Sequence, residues 1–379
     1  MRQLRWIGPL LALAALLAVP WGCHRLRARR TVEIVVVDKT VPFANRIEHR
    51  SLYWILEHLK VVDRRGAAYD RDVSYLGAFP GPVPGDRPQR TSDLDRTSAL
   101  SADLLYLVDT YGVYEEDLAS GAEMKAALER SPRIYGGLAP AEAEAAALAA
   151  DAGKVVLAEF NTFASPTSAA ARERMERLLG VRWTRWIGRF FPRLEARDEV
   201  PQWMRDDYER EWGHPWEFRG AGYVLMRDDA ACEVLQVGYH VEPQGLTLER
   251  ERPIDALLES SHDGVAYPFW FDVVTLEGGS TALASYEWHM RPAGRERLEA
   301  RGLPTRFPAV VRAPRGEAYY FAGDFADNPM PDHAVPFAGY PALMGWLESI
   351  KLAPSERSFY WRFYVPLMTR VIERSTEDP

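Results

Sequence analysis

Residues 155–161 read Val-Val-Leu-Ala-Glu-Phe-Asn, and the rest of the chain is best interpreted outward from this stretch. Four apolar residues run directly into a carboxylate and an amide, and a polar segment follows at 162–168. An apolar run bounded by polar residues is typical of a strand buried on both faces of a sheet. In α/β proteins, ligands bind outside the carboxyl ends of such strands. We therefore expect Glu159 and Asn161 to lie at a functional site.

Two earlier segments repeat this pattern. Residues 32–37 are rich in β-branched side chains and lead into Asp38-Lys39. Residues 104–108 are apolar and lead into Asp109. Since the carboxyl ends of parallel strands meet at the same edge of a sheet, these polar residues are expected to lie near one another.

Helical patterns separate the predicted strands. The apolar spacing over residues 52–59 is that of a helical core face. Further helices are predicted near residues 121–130, over residues 140–152 after Pro140, and between Ser168 as N-cap and Gly180 as the C-terminal stop. Strands that alternate with helices predict βαβ units and a parallel sheet.

The second half of the chain has a different character. Residues 183–219 hold five tryptophans among charges and prolines, and short strand patterns follow one another beyond residue 220. We expect one α/β domain over residues 31–350, with residues 183–219 as a Trp-rich insertion and a β-rich second half. Residues 351–379 are predicted to form a C-terminal amphipathic segment that docks on the core, lies on a membrane or binds a partner.

Residues 1–30 differ in composition from the rest. Arg2 and Arg5 precede an apolar run of 16 residues from Trp6 to Trp21, and four arginines follow. This length falls between a secretory h-region of about 7–15 residues and a membrane-spanning helix of about 20. We predict a signal or membrane anchor over residues 1–30, uncleaved in preference to a lipoprotein processed at Cys23. The rest of the chain is then expected to be extracytoplasmic, in the periplasm or at the cell surface.

Charge and cysteine content narrow the classes of partner. The formal net charge is −8, and residues 1–30 contribute six arginines and no acids, so the remainder is still more acidic. This balance argues against nucleic acid as a partner. Cys23 and Cys232 are the two cysteines and provide no disulfide framework. Without paired His or Cys spacing and without a Gly-rich phosphate loop, the sequence predicts neither a metal nor a cofactor.

Two groups of segments carry a resemblance to a known family. The first is Ala-Asp-Leu-Leu-Tyr-Leu-Val-Asp at 102–109, with Gly-Lys-Val-Val-Leu at 153–157. The second is Thr-Ala-Leu-Ala-Ser-Tyr at 281–286, Phe-Pro-Ala-Val-Val at 307–311 and Gly-Glu-Ala-Tyr-Tyr-Phe-Ala-Gly-Asp-Phe at 316–325. Their order resembles the class I glutamine amidotransferase-like fold, especially its degenerate members, which include sheet domains found beside sugar-cleaving enzymes. The resemblance implies a flavodoxin-like core around a parallel sheet.

The same resemblance implies that this chain does not hydrolyse glutamine. Active members carry a Cys in a tight, Gly-flanked turn after the third or fourth strand, with His-x-Glu downstream. The matching turn here, Glu-Phe-Asn-Thr-Phe at 159–163, has no Cys and no flanking Gly. Asp-Lys-Thr-Val-Pro at 38–42 is also similar to a family of uncharacterised membrane-anchored bacterial proteins.

The candidate site residues follow from the strand ends, the helix start at residues 48–50 and the tryptophans. Carboxylates that converge in a cleft can perform general acid–base catalysis, or they can hold a hard cation through oxygen ligands. Aromatic faces stack on sugars. The alternatives are that these groups cap helices, pair as Lys39 with Glu159, or pack the insertion onto the core. The catalytic candidates are Glu159, Asp109 and Asp324. The ligand-binding candidates are Asp38, Lys39, His49, Tyr111, Asn161, Trp186 and Arg189.

Three functions are consistent with these features. The first, which the predicted anchor and the polar strand ends favour, is a membrane-anchored extracytoplasmic protein that binds a glycan or another cell-envelope ligand at the carboxyl edge of the sheet. The second is a hydrolase that uses Glu159 with Asp109 or Asp324, so enzyme activity stays open at this stage. The third is a structural scaffold that docks an envelope protein through residues 359–371.

Overall fold

The computed structural model describes residues 18–40, 45–83, 86–119, 132–328, 333–350 and 355–377. The helix predicted near residues 121–130 lies outside these ranges, as do residues 1–17 of the predicted anchor. The prediction of a membrane-spanning anchor is wrong for the part of the chain that the structure describes, because no helix there is long and apolar enough to cross a membrane. The described residues 18–26 are helical, are called α1 below, and include a histidine and an arginine.

The strands alternate with helices in the first half and follow one another in the second. The described strands are β1 (Arg30–Thr31), β2 (Ile34–Asp38), β3 (Val61–Val62), β4 (Leu76–Phe79), β5 (Arg90–Thr91), β6 (Leu104–Asp109), β7 (Val113–Tyr114), β8 (Arg133–Tyr135), β9 (Val155–Ala158), β10 (Val181–Phe191), β11 (Gly222–Arg227), β12 (Cys232–Gln236), β13 (Val241–Arg250), β14 (Val265–Ala266), β15 (Phe271–Leu276), β16 (Thr281–Met290), β17 (Arg306–Arg312) and β18 (Ala318–Phe321).

The helices lie mainly before β10 and at the end of the chain. After α1 they are α2 (Ile47–Leu59), α3 (Arg96–Ser101), α4 (Glu115–Ala119), α5 (Pro140–Asp151), α6 (Ala169–Leu179), α7 (Gln202–Trp212), α8 (Pro292–Ala300), α9 (Tyr340–Ser349), α10 (Glu356–Phe359) and α11 (Val365–Arg374), with a 3-10 turn at Ala256–Leu258 and a π-helical stretch at Tyr360–Tyr364. Pro140 opens α5, Ser168 caps α6 through the Ala171 N–H, and Gly180 ends α6 in the left-handed conformation, as predicted.

The main sheet is mixed rather than parallel. Among the described strands it has ten members, in the order β14-β13-β16-β17-β18-β9-β6-β2-β4-β5. Strands β18, β9, β6, β2 and β4 are parallel to one another. The other neighbours pair antiparallel. A second sheet, β12-β11-β10-β15, is antiparallel throughout.

The predicted fold class, a parallel-sheet amidotransferase-like core behind an anchor, is therefore wrong. Only the middle of the main sheet has the predicted parallel strands. Antiparallel strands can be joined by short turns, whereas parallel strands need a long crossover. The turn at residues 228–231 between β11 and β12 and the turn at residues 313–317 between β17 and β18 provide no such crossover, so these neighbours pair antiparallel.

The predicted insertion at residues 183–219 is also corrected. Its first part belongs to β10, which pairs with both β11 and β15 inside the second sheet. Its second part contains α7, which packs with that sheet around a small core that includes Phe191, Met204 and Tyr208. The tryptophans of this region are consequently part of a sheet-and-helix layer.

The C-terminal helices complete the main core. From α10 through the π-helical stretch to α11, the apolar side chains are buried against the main sheet and α2; among them Phe359, Tyr364 and Leu367 are fully buried. The Tyr360 hydroxyl donates to the backbone oxygen of Ser51 in α2. These apolar side chains are therefore not exposed for the partner docking considered above.

Candidate functional site

The carboxyl ends of the central parallel strands meet at one edge of the main sheet. Asp38 ends β2 and Asp109 ends β6, and the two residues are partners in the strand register. Asn161, after β9, donates from Nδ2 to Asp109 Oδ2 at 3.0 Å. Asp324 follows β18. The structure thus brings together four of the residues that the sequence placed at this edge.

Two backbone features hold the edge in this shape. Asn161 has φ of 68°, in the left-handed region that Asn tolerates better than most residues. Gly77 in β4 has φ of 143°, and a side chain there would collide with the backbone oxygen of Asp38. Both features allow the chain to turn sharply or approach closely beside the carboxylates.

Five carboxyl groups share this edge, and we call Asp38, Glu48, Asp109, Asp324 and Asp327 the acidic cluster. Carboxylate oxygens of Glu48, Asp324 and Asp327 all lie within 4.8 Å of one another. Burial raises the pKa of Asp109 to about 8, with repulsion from Asp38 adding to it. Burial likewise raises the pKa of Asp327 to about 6, although Arg189 opposes the rise. The pKa values of Glu48 and Asp324 are raised well above the ordinary range, first by burial and then by repulsion within the cluster.

His49 in α2 is held against Asp38. Its Nδ1 lies 2.6 Å from Asp38 Oδ2, and its Nε2 lies 2.9 Å from the Arg71 backbone oxygen. Because a carbonyl can only accept, Nε2 carries a proton and donates it to Arg71. A second proton must then lie between Nδ1 and Asp38. Since His49 is fully buried with both nitrogens engaged, it orients Asp38 and does not contact a ligand directly.

Glu159 is a structural residue in this fold. It is fully buried, and its Oε1 accepts from the Tyr106 hydroxyl at 2.9 Å. The backbone N–H groups of Phe325 and Ala326 donate to its two carboxylate oxygens, at 2.9 and 3.3 Å. Glu159 therefore fastens the turn after β9 to the loop after β18, next to the acidic cluster. Its burial leaves it a poor candidate for the acid–base role that the hydrolase hypothesis gave it.

Lys39 is engaged elsewhere. Its Nζ lies 2.8 Å from Glu142 Oε2 in α5 and 2.8 Å from Asp93, and its side chain is almost fully buried. Glu142 also accepts from the N–H of Ala139 and so anchors the start of α5. The alternative pairing of Lys39 with Glu159 does not occur, and the cluster receives no charge compensation through contact with Lys39.

The remaining candidates divide between the cluster and the core. Arg189 in β10 interacts electrostatically with Asp324 and Asp327. Its guanidinium also lies 5.5 Å from the ring of half-buried Trp270. Trp186, by contrast, is only 3% exposed and packs in the core.

Tyr111 borders the cluster through its backbone. Its N–H donates to Asp109 Oδ1 at 2.5 Å, while its ring packs against Tyr114 at 5.2 Å. The residue therefore helps to orient Asp109.

Glu48 and Trp270 were not predicted as site residues. Glu48 stands in the first turn of α2, and only the packing of that helix against the sheet turns it toward Asp324. The backbone oxygen of Trp270 accepts from the Asp324 N–H at 3.0 Å, which places it beside the cluster. Glu48 could have been found from its position as the second residue of the first helix after β2. No pattern in the sequence points to Trp270.

The fold and site thus define a mixed α/β protein with an acid-rich edge at the ends of its parallel strands. No family model matches the chain, and no curated protein matches it. Among solved structures, it is similar to the cytoplasmic protein STM1381 from Salmonella typhimurium LT2, with a TM-score of 0.36, 10% identity, and coverage of 90% of this chain and 99% of that one. It is also similar to a beta-galactosidase from Rahnella sp. R3, with a TM-score of 0.31, 14% identity, and coverage of 78% of this chain.

The chain spans only 29% of that beta-galactosidase. TM-scores this low support no conclusion about fold or function. The resemblance to the class I glutamine amidotransferase-like family stays a prediction from the sequence.

Proposed function

We propose that this chain binds a neutral, hydroxyl-rich ligand, a glycan or a comparable cell-envelope molecule, at the acidic cluster. The observation that supports the proposal most is the convergence of Asp38, Asp109, Asn161 and Asp324 at the carboxyl ends of parallel strands. Carboxylate and amide oxygens accept hydrogen bonds from hydroxyl groups, and such edges are the usual binding place in α/β sheets.

The surroundings of the cluster favour a neutral ligand over an anionic one. Five carboxyl groups face only a few positive groups, and an anion would meet repulsion from the acids. Trp270 stacks on Phe160 with an interplanar angle of 16° and is half-buried beside Asp324. An aromatic ring next to convergent polar groups is the general form of a sugar-binding site.

Glutamine hydrolysis through a thiolate finds no support at this edge. Cys232 lies in β12 of the second sheet, where it is fully buried and burial raises the pKa of its thiol. Cys23 lies in α1. A reactive cysteine needs an accessible, electropositive environment, whereas Cys232 is inaccessible, and Glu211 and Glu233 each raise its pKa more than Arg301 lowers it.

The test is a binding screen with the full-length chain against neutral and polyanionic polysaccharide fragments, followed by calorimetry on any ligand found. Asp109→Asn and Asn161→Ala should each weaken binding about 2- to 10-fold, the equivalent of about 0.5–1.5 kcal/mol for a hydrogen bond between uncharged groups, because Asp109 is largely protonated near neutral pH. Asp263→Asn, which alters an acid paired with Arg250 far along the chain, is the matched control and should bind like the wild type. Absence of binding to every neutral fragment, or preference for the polyanions, would refute the proposal.

A further inference from the structure

The buried carboxylates of the described residues fall into two groups, those with a partner and those without one. Nearly all have a partner: Glu142 pairs with Lys39, Glu233 with Arg297 and Arg301, Glu176 with Arg182, Asp207 with Arg210, Glu348 with Arg357 and Asp38 with His49. Asp109, Glu159 and Asp272 accept hydrogen bonds from protein donors.

Glu48 and Asp324 are the exceptions among the described residues. They are 8% and 5% exposed, and among the described residues neither carboxylate has a hydrogen-bond donor or an ion-pair partner; burial and the charges nearby set their pKa values. The oxygens of these two carboxylates are not among the fully enclosed unpaired atoms of the described residues, but two largely buried acids that face each other without a counter-charge repel when charged, and this calls for an explanation. Since these two carboxylates point at each other and at Asp327, packing does not separate their charges.

The distances suit a single ion. Oxygens of Glu48, Asp324 and Asp327 are mutually within 4.8 Å. Three carboxylates on one ion favour Ca²⁺, which takes about six to eight oxygen ligands in a flexible geometry, over Mg²⁺, which usually keeps several waters and takes one or two carboxylates. The neighbouring Asn328 adds an acceptor to the same loop, because it is fully buried and its Oδ1 makes no hydrogen bond with the described residues.

We propose that Glu48, Asp324 and Asp327 hold a hard divalent cation, with Ca²⁺ preferred over Mg²⁺. Carboxylate oxygens are the ligands that such ions select, and a bound cation would cancel the repulsion among the three acids. Arg189 contributes long-range attraction to Asp324 and Asp327, but it forms no ion pair with either. A cation here would also offer open coordination positions to hydroxyl groups, a role that rests on the proposed function.

The competing explanation is that the three carboxyls are simply protonated and bind nothing. The two explanations differ in a direct titration of the full-length, EDTA-treated and desalted chain with CaCl₂ alone and with MgCl₂ alone. We expect one Ca²⁺ per chain in calorimetry and a rise in Tm with added CaCl₂, since a ligand that binds only the folded state stabilises it. No binding at millimolar CaCl₂, or MgCl₂ binding as tight as CaCl₂, would overturn the proposal.

Two variants make the result specific. Asp324→Asn and Glu48→Gln should each weaken Ca²⁺ binding at least about tenfold and abolish most of the Tm rise. Without metal, both should melt no lower than the wild type, because each removes a charge that repels its neighbours, so a loss of binding would not reflect misfolding. Asp263→Asn serves as the control and should retain the wild-type affinity. Undiminished binding in both cluster variants would place the ion elsewhere and refute the assignment.

The cation and glycan proposals fail separately. Ca²⁺ binding that Asp324→Asn abolishes, without any glycan binding, would leave the cation site standing and refute the proposed function. Glycan binding that persists in EDTA, with no Ca²⁺ binding, would do the reverse.

Discussion

Asp272 provides a sharp test of how the two sheets are joined. It lies near the start of β15, is 1% exposed, and accepts a hydrogen bond from the Tyr320 hydroxyl of β18. Its backbone N–H donates to Ala322 at 3.0 Å. Burial raises the pKa of Asp272 from 3.8 to about 7, and Tyr320 and Trp183 oppose the rise only in part.

The direction of the pH effect follows from this raised pKa. Between about pH 4 and pH 7 the folded chain keeps a proton on Asp272 that the unfolded chain has released, so stability falls as pH rises through this window. Each pKa unit is worth about 1.36 kcal/mol, and a shift from 3.8 to about 7 therefore amounts to about 4 kcal/mol, all of it lost above about pH 7.

Asp272→Asn should remove this dependence, because the amide never ionises. The measurement is urea unfolding of wild type and variant from about pH 4 to about pH 8. The variant's stability relative to the wild type should rise by about 4 kcal/mol across the window. Asp263→Asn is the control: Arg250 lowers the pKa of Asp263 to about 2, so its stabilisation is lost only as pH falls below about 4, and this variant should differ from the wild type by a constant amount across the window. Parallel curves for wild type and Asp272→Asn would refute the burial argument.

Three further predictions concern residues outside the proposed ligand contacts. Lys39→Met leaves Glu142 charged and buried, and should lower the free energy of unfolding in urea by about 3–5 kcal/mol. Adding Glu142→Gln in a double variant should restore part of this loss, and an unchanged unfolding midpoint in Lys39→Met would contradict the buried pair. Glu159→Gln places an amide donor against protein donors and should lower the free energy of unfolding by about 1–3 kcal/mol. Any glycan affinity of the folded chain should stay within about threefold of the wild type; a selective loss of binding would show that Glu159 contacts the ligand. In a thiol-labelling experiment, the native protein should react at Cys23 alone, and Cys232 should react only in urea. Rapid labelling of both thiols without denaturant would contradict this prediction.

The central strands were predictable because burial on both faces produces a simple sequence pattern. Strands β2, β6 and β9 are buried on both faces, so their sequences are near-continuous apolar runs that end where the chain meets polar surroundings. The ends of the same apolar runs pointed to Asp38, Asp109 and Asn161 as site residues. Local chemistry also predicted the ends of α6, since a serine cap and a left-handed glycine act within a few residues.

The second half was not predictable by the same means. Strand β10 alternates buried and exposed residues, but its tryptophans and arginines suggested an irregular insertion, and its partners β11 and β15 are far apart in sequence. Pairing of this kind depends on tertiary packing, which intrinsic strand preference does not encode. The partner of Lys39 was missed for the same reason, because Glu142 lies 103 residues away.

Lys39 and Glu48 differ in whether their buried charge has a counter-charge, and this difference is informative about the function of the acidic cluster. Where this fold buries a charge for structural reasons, it provides a counter-charge at 2.8 Å, as Glu142 does for Lys39. Glu48 and Asp324 stand within 4.8 Å of another carboxylate and receive no such partner from the described residues. Asparagine or glutamine would fill the same space without the repulsion, so stability alone gives no reason for acids at both positions. Local conflicts of this kind are expected where a site has a function that stability does not explain. The carboxyl edge of β2, β6, β9 and β18 is therefore the place where the function of this chain should be tested first.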